Sequence, residues 1–66
     1  MAVLKVIELL ANSEESWEDA AKKAVAQAAK SVDNIRSVYI HEQSATVSNG
    51  KIATYRVNAK VTFEVK

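Results

Sequence analysis

A serine, a histidine and a glutamate lie close together in the segment NIRSVYIHEQ, and these side chains could in principle form a hydrolytic site. The pattern around Ser37, His41 and Glu42 predicts a strand. In a strand, residues 37 and 41 share one face but lie about 13 Å apart, at roughly 3.3 Å per residue. A nucleophile must reach its base within hydrogen-bonding distance. We therefore predict that the protein is not an enzyme, and that His41 is solvated or interfacial.

Two arginines are the other side chains with evident binding chemistry. Arg36 and Arg56 could bind the phosphate or carboxylate of a nucleotide, because a guanidinium presents paired donors to such groups. The alternative interpretation, which we prefer, is that they form ion pairs across a subunit interface. Glu42 and Glu64 are the predicted acceptors.

The composition excludes several classes of site and partner. The chain has 66 residues, no cysteine and one histidine, so disulfides, thiolate zinc sites and histidine clusters are excluded. The net charge of +1, with basic and acidic residues scattered along the chain, argues against a nucleic-acid partner. No apolar run approaches the roughly 20 residues that span a bilayer. We expect no membrane partner.

The first ten residues, MAVLKVIELL, resemble a signal sequence only superficially. Lys5 and Glu8 interrupt the apolar run, and no small-residue cleavage site follows it. We predict a cytoplasmic protein with one domain, residues 1–66. A domain of this size buries little surface on its own, so we also predict that it associates with copies of itself.

Residues Val3–Leu10 are rich in strand-forming side chains, and a helix is predicted to follow. Asn12 is the predicted N-cap, with Glu15 completing a capping box; Ser13 is the alternative cap. Asp33 and Asn34 are the predicted polar stop. One helix face is apolar but mostly methyl-sized, and it consists of Trp17, Ala20, Ala21, Ala24, Ala28 and Val32.

Two further strands are predicted, at 36–47 and 52–65, joined by a turn at Ser48, Asn49 and Gly50. Asn-Gly is the strongest short hairpin signal. In the last strand, the residues expected to face the helix are Tyr55, Val57, Ala59, Val61, Phe63 and Val65.

These elements predict an α+β fold with the order β-α-β-β. The three-stranded sheet has antiparallel pairs, its strand order is 1-3-2, and the helix packs across one face. The other face carries apolar residues of the first two strands beside several polar groups. We expect that face to be buried between subunits.

Nearly the whole chain resembles the dodecin family. The resemblance rests on KVIELLANSEESWEDAAKKAVAQAAKSVDNIRSV and EQSATVSNGKIATYRVNAKVTFEV. It implies small β-α-β-β subunits that assemble as a hollow homododecamer without catalytic activity. It also implies binding of a flavin (riboflavin, FMN, FAD or lumichrome) near twofold axes, for storage and protection from photochemistry.

In flavin-binding dodecins, a tryptophan stacks on the flavin ring and a glutamine bonds its edge. The resemblance puts these positions at Ser37 and Arg56. A serine offers no ring, and a guanidinium donates but does not accept hydrogen bonds. We assign the predicted pocket to Ser37, Arg56, Glu42 and Gln43, and expect flavin binding there to be weak. Trp17 is expected to anchor the helix and not to replace the stacking residue.

The chain is also similar to a branch of the family without that tryptophan, the calcium dodecins. A metal site could not be mapped to particular residues. The acidic candidates are Glu14, Glu15, Glu18, Asp19 and Glu42, and no EF-hand-like loop is present. Calcium, or a purely structural particle, is therefore the alternative to a flavin.

Overall fold

The computed structural model describes residues 2–66 as one helix and a three-stranded sheet. The elements are β1 (Val3–Ser13), α1 (Trp17–Ala28), β2 (Ile35–Ser48) and β3 (Lys51–Val65). The strand order is β1-β3-β2, and both outer strands pair antiparallel to β3. The predicted fold class and strand order are confirmed. Within residues 2–66, no helix is long and apolar enough to cross a membrane.

The core lies between one face of β3 and the alanine face of α1. Val57, Ala59 and Val61 are completely buried, in agreement with the predicted alternation. Three alanines of α1 pack against this surface and are also buried: Ala20, Ala24 and Ala28. Methyl-sized side chains let the helix approach the sheet closely, so the core contains mainly small side chains.

The helix begins later than the sequence predicted. Ser16 is the N-cap, and its Oγ accepts a hydrogen bond of 2.9 Å from the backbone nitrogen of Asp19. The predictions of Asn12, and alternatively Ser13, as the cap were wrong. Both residues lie in β1, because the ladder with β3 continues three residues beyond the predicted strand end. Asn12 bonds Arg56 instead, and the Ser13 hydroxyl accepts from the backbone nitrogens of Glu15 and Ser16, which precede the helix.

The helix also ends earlier than predicted, at Ala28 instead of near Asp33. Its last turn is closed by short-range bonds, from Lys30 N to Gln27 O and from Ser31 N to Ala28 O. Such i→i+3 bonds tighten the end of a helix. Asn34 then takes a left-handed conformation, with φ of 61°, where the chain turns into β2.

The turn between β2 and β3 agrees with the prediction. Ser48 pairs with Lys51, so Asn49 and Gly50 are the two central residues of the turn. Both have positive φ, 53° and 74°. This is the conformation of a type I′ hairpin, whose twist matches that of the flanking strands.

Candidate functional site

The sheet face turned away from α1, which we call the outer face, carries the predicted pocket residues except Gln43. Residues directly opposite each other in a ladder share a face, so the outer face can be identified from its pairing with the even-numbered residues of β3. On β1 it presents Leu4, Val6 and Leu10, each more than half exposed. Apolar side chains therefore occupy one edge of a solvent-facing sheet surface.

Arg56 lies in the middle strand of the outer face, between Asn12 of β1 and Ser44 of β2. Its Nε donates a hydrogen bond of 2.9 Å to Oδ1 of Asn12. This bond fixes the position of the guanidinium group relative to the sheet. Asn12, which the sequence predicted as the helix cap, therefore positions Arg56.

His41 lies at a register irregularity of β2, between the pairs formed by Ile40 and Glu42. Its Nε2 is 2.9 Å from Oε2 of Glu8, and its Nδ1 is 3.8 Å from Oε1 of Glu42. The His41 ring also stacks on Tyr39, with a centroid separation of 6.1 Å. The Glu8 contact spans the central strand β3 and joins the two edge strands through side chains.

The structure does not bring all four predicted pocket residues together. Ser37 is opposite Thr62, six residues along β3 from Arg56, which corresponds to about 20 Å at roughly 3.3 Å per residue. Glu42 is opposite Asn58 and lies nearer to Arg56. A ligand of flavin size that touches both Ser37 and Arg56 would need residues of more than one copy.

Gln43 lies on the other side of the sheet. It pairs with Val57, whose side chain is buried beneath α1. Consecutive strand residues point to opposite faces, and the irregularity at His41 shifts the alternation of β2 by one residue, so Glu42 instead of Gln43 shares the outer face with Ser37. Gln43 is therefore separated from the other pocket residues within one chain.

Arg36 forms an ion pair within its own chain. Its Nη2 and Nε donate to Oε1 of Glu64, at 2.7 and 3.1 Å. The sequence analysis expected this arginine to pair across a subunit interface, with Glu64 as one of two acceptors. The acceptor residue agrees, but the pair joins neighbouring strands of one chain.

Trp17 fastens the start of α1 to the sheet. Its ring meets Tyr55 edge-on, with centroids 4.8 Å apart and planes at 74°. Its Nε1 donates a hydrogen bond of 2.8 Å to the carbonyl oxygen of Ser44. Both contacts lie on or beside the helix face, which agrees with the expected anchoring role and keeps the indole away from the outer face.

Asp19 is the one acidic residue near the helix start with several partners. The Ser13 hydroxyl donates to its Oδ2 at 2.6 Å, and Lys23 Nζ lies 3.3 Å from the same oxygen. These two hydrogen-bonding partners, Ser13 first, lower the pKa of Asp19. Among residues 2–66, no three His, Cys, Asp or Glu side chains come together in a way that could hold a metal ion.

The sequence analysis did not predict two side-chain contacts of the outer face. The Glu8–His41 contact joins residues 33 positions apart, and the Asn12–Arg56 bond joins residues 44 apart. Local periodicity carries no information about such pairs. The register between β1 and β3 could have suggested the second contact, had the first strand been predicted to its true end.

Comparison with known proteins identifies the family. Residues 3–66 match the Dodecin family. The chain is 41% identical over 66 residues to the calcium dodecin of Mycobacterium tuberculosis, which covers all of this chain and 93% of the relative.

Solved structures agree with this match. A mutant of the T. thermophilus dodecin superposes with a TM-score of 0.94 at 29% identity, covering 100% of this chain and 98% of the other. The M. tuberculosis calcium dodecin, described as calcium-chelating with a novel calcium-binding site, gives a TM-score of 0.83 at 45% identity, covering 97% and 91%. The chain belongs to the dodecin family.

Proposed function

We propose that this dodecin is a non-enzymatic protein that assembles with copies of itself and holds a small ligand in the seams between them. The observation that supports this most is the apolar edge of the outer face. Leu4, Val6 and Leu10 lie on this face of β1, with Glu8 between Val6 and Leu10, and are 53%, 57% and 60% exposed. A soluble chain gains by covering such a patch, and a closed homo-oligomer covers it on every copy.

The outer face supplies polar groups beside this patch. Arg56 is held by Asn12, and Glu8, His41 and Glu42 form a second polar group nearby. A pocket with apolar walls and a few oriented polar groups is the usual form of a small-molecule site. Because Ser37 and Arg56 are far apart within one chain, such a pocket would be completed by a second copy.

A flavin would be held weakly in such a pocket. Ser37 has no ring to stack on an isoalloxazine, and aromatic stacking contributes about 0.5–1.5 kcal/mol beyond burial of area. Arg56 could donate to a flavin carbonyl but has no acceptor for a ring N–H. The expected affinity is therefore lower than that of a dodecin with an aromatic residue at this position.

Calcium is the second candidate, and the relatives favour it. The M. tuberculosis protein, 41% identical, is named a calcium dodecin. Residues 2–66 contain no cluster of three metal-ligating side chains, so we place the calcium site between copies, where carboxylates of two chains can meet. Among the exposed acids are Glu14, Glu15, Glu18 and Glu42.

The two candidates are separated by one set of titrations on the assembled protein. Light scattering first measures the mass of the particle. Riboflavin fluorescence is then titrated with wild-type protein, Ser37→Trp and the control Ser31→Trp, which places an indole at an exposed position after α1, away from the outer face. We expect weak quenching by wild type and roughly tenfold tighter binding by Ser37→Trp, since about 1.4 kcal/mol corresponds to a factor of ten.

Calorimetry with calcium completes the test. If Ser37→Trp quenches riboflavin no better than Ser31→Trp, the flavin-type pocket is wrong. Heat on calcium addition, abolished by Glu42→Gln or by a Glu14→Gln/Glu15→Gln pair, would then support the calcium site. A monomeric wild-type chain would contradict both candidates.

A further inference from the structure

Tyr39 is the aromatic side chain that the outer face exposes to solvent. The chain has one tryptophan, two tyrosines and one phenylalanine. Tyr39 is 63% exposed, whereas the other three are at least partly covered. Because it pairs with Lys60 of β3, it lies on the outer face, two residues along β2 from Ser37. The core lies on the opposite side of the sheet, so this ring is available to a ligand.

His41 is held beside Tyr39 by contacts at both of its ring nitrogens. Nε2 lies 2.9 Å from Oε2 of Glu8, on the far side of the central strand, and Nδ1 lies 3.8 Å from Oε1 of Glu42. The imidazole is inclined by 20° to the Tyr39 ring, and the ring centroids are 6.1 Å apart. Carbon atoms in full contact are about 3.5–4.0 Å apart, so these nearly parallel rings leave aromatic surface uncovered. A flat ligand ring can stack there.

Two side chains with opposite hydrogen-bonding roles follow along the same face. Glu42 lies one residue pair beyond Tyr39, and Arg56 lies one pair further, on β3. The two are diagonal neighbours, a separation of roughly 7–8 Å that long side chains can bridge. The irregularity at His41 is the reason that Glu42 lies on this face, since regular alternation would turn it towards α1.

The hydrogen-bonding capacity of Arg56 and Glu42 is largely unused within one chain. The Arg56 Nε bonds Asn12, and no ion pair among residues 2–66 includes this arginine. The Glu42 side chain is 69% exposed and has the 3.8 Å contact with His41. A guanidinium only donates hydrogen bonds and a carboxylate only accepts them. Together they match a ring edge on which an N–H stands between two carbonyl groups.

Tyr39 is also better placed than Ser37 to share a ligand with Arg56. Along β3, the residue opposite Tyr39 is four positions from Arg56, about 13 Å at roughly 3.3 Å per residue. The residue opposite Ser37 is six positions away, about 20 Å. A ligand stacked on Tyr39 therefore reaches the donor and the acceptor of the same chain more easily than a ligand at Ser37.

We propose that a planar heteroaromatic ligand with an N–H between two carbonyl groups stacks on Tyr39 and turns that edge towards Arg56 and Glu42. This inference rests on the small-ligand function proposed above and names the side chains of one copy that meet the ring. His41 supports the Tyr39 ring and is itself held by Glu8. Aromatic surface with a few oriented polar groups beside it is the usual form of such a site.

Riboflavin carries this edge, and its fluorescence reports binding, so it is the probe for assembled wild-type protein, Tyr39→Ala and Tyr39→Phe. We expect Tyr39→Ala to bind about two- to tenfold more weakly because it lacks the ring, and Tyr39→Phe to stay within about twofold of wild type. The control is Val65→Ala, which shortens a 40% exposed side chain on the helix side of the sheet. It should bind as wild type does.

A second probe tests the hydrogen-bonding edge. In N3-methylriboflavin, a methyl group replaces the ring N–H that would donate to Glu42. We expect methylation to weaken binding to wild type about fivefold, as for the loss of one hydrogen bond, and to have much less effect on Glu42→Ala. Equal losses in the two proteins, or no loss in wild type, would contradict the proposed orientation of the ligand.

Nuclear magnetic resonance locates the ligand. His41 is the single histidine of the chain, so its ring C–H signals report on this site without ambiguity. A flat ring stacked on Tyr39 should shift them as riboflavin is added. Unchanged signals at concentrations that saturate the fluorescence titration would mean that riboflavin binds elsewhere, and the inference would be wrong.

The outcomes separate this inference from the proposed function. If Tyr39→Ala binds riboflavin as tightly as wild type, or if Ser37→Trp binds it and wild type does not, the Tyr39 site is wrong and the small-ligand function stands. If neither wild type nor Ser37→Trp binds riboflavin, the flavin-type function itself fails, and this inference fails with it.

Discussion

Two parts of the same hairpin differ in what covers them. In the body of the subunit, where α1 lies over the sheet, Val57, Ala59 and Val61 are completely buried. In the part of the hairpin beyond β1, residues 46–54, which we call the hairpin arm, Val47 and Ile52 are more than half exposed. The strands are continuous between the two parts, so the difference arises where β1 and α1 stop covering them. The body can be stable by its own packing, whereas the arm needs either local bonds or a partner.

The arm does have local bonds at its base. The hydroxyls of Thr46 and Thr54 are 2.6 Å apart, and the Thr54 backbone nitrogen also donates to Thr46 Oγ1 at 3.1 Å. At its tip, the positive φ angles of Asn49 and Gly50 form the tight turn. These features fix the shape of the arm and leave its apolar side chains available to another chain.

The largest expected effect comes from the buried side of this comparison. Val61→Ala removes two methylene equivalents at about 0.8 kcal/mol each and leaves a cavity, so we expect a loss of roughly 2–3 kcal/mol in the free energy of unfolding. Chemical denaturation followed by circular dichroism measures it. The effect should appear at every protein concentration.

Val47→Ala is the matched variant in the arm. It removes the same atoms from an exposed position, so it should change the stability of a single chain by no more than about 0.5 kcal/mol. Its effect should instead depend on protein concentration, as expected when the side chain is buried only in the assembly. Equal, concentration-independent losses for both variants would contradict the distinction between body and arm.

The sequence predicted the core of the subunit more accurately than the ends of its strands and helix. Alternation in β3 and the alanine face of α1 identified the core because both patterns reflect burial in one chain. The Asn-Gly signal located the turn because positive φ depends on those two residues. The end of β1 was missed, since Asn12 and Ser13 have good capping chemistry and only their pairing with β3 excludes that role. The site was less predictable still, because the bulge at His41 changes which of Glu42 and Gln43 shares a face with Ser37.

A smaller loss of stability is expected when the N-cap of α1 is removed. Ser16→Ala removes the N-cap bond to Asp19, and we expect a loss of about 1 kcal/mol. Asn12→Ala is the control, since this residue looked like the cap in the sequence but lies in β1. It should cost less, about 0.5 kcal/mol, through its partly exposed bond to Arg56.

Thermal or denaturant unfolding of the two variants tests whether Ser16 or Asn12 is the N-cap of α1. A greater loss for Asn12→Ala than for Ser16→Ala would contradict the observed helix start. Ser16→Ala touches neither the outer face nor the hairpin arm, so the concentration dependence of its unfolding should stay as in wild type.

The smallest expected effect concerns acid stability at the junction of β1 and α1. The pKa of Asp19 is lowered, first by the Ser13 hydroxyl and then by Lys23. A carboxyl with a lower pKa in the folded state contributes stability above its unfolded pKa, about 3.9, and loses it as the pH falls through the folded value. Ser13→Ala should therefore bring the acid unfolding midpoint to a higher pH, with Ser48→Ala as an exposed control. An unchanged midpoint in Ser13→Ala would mean that the hydroxyl does not stabilise the Asp19 carboxylate, and that Lys23 and the solvent determine its charge.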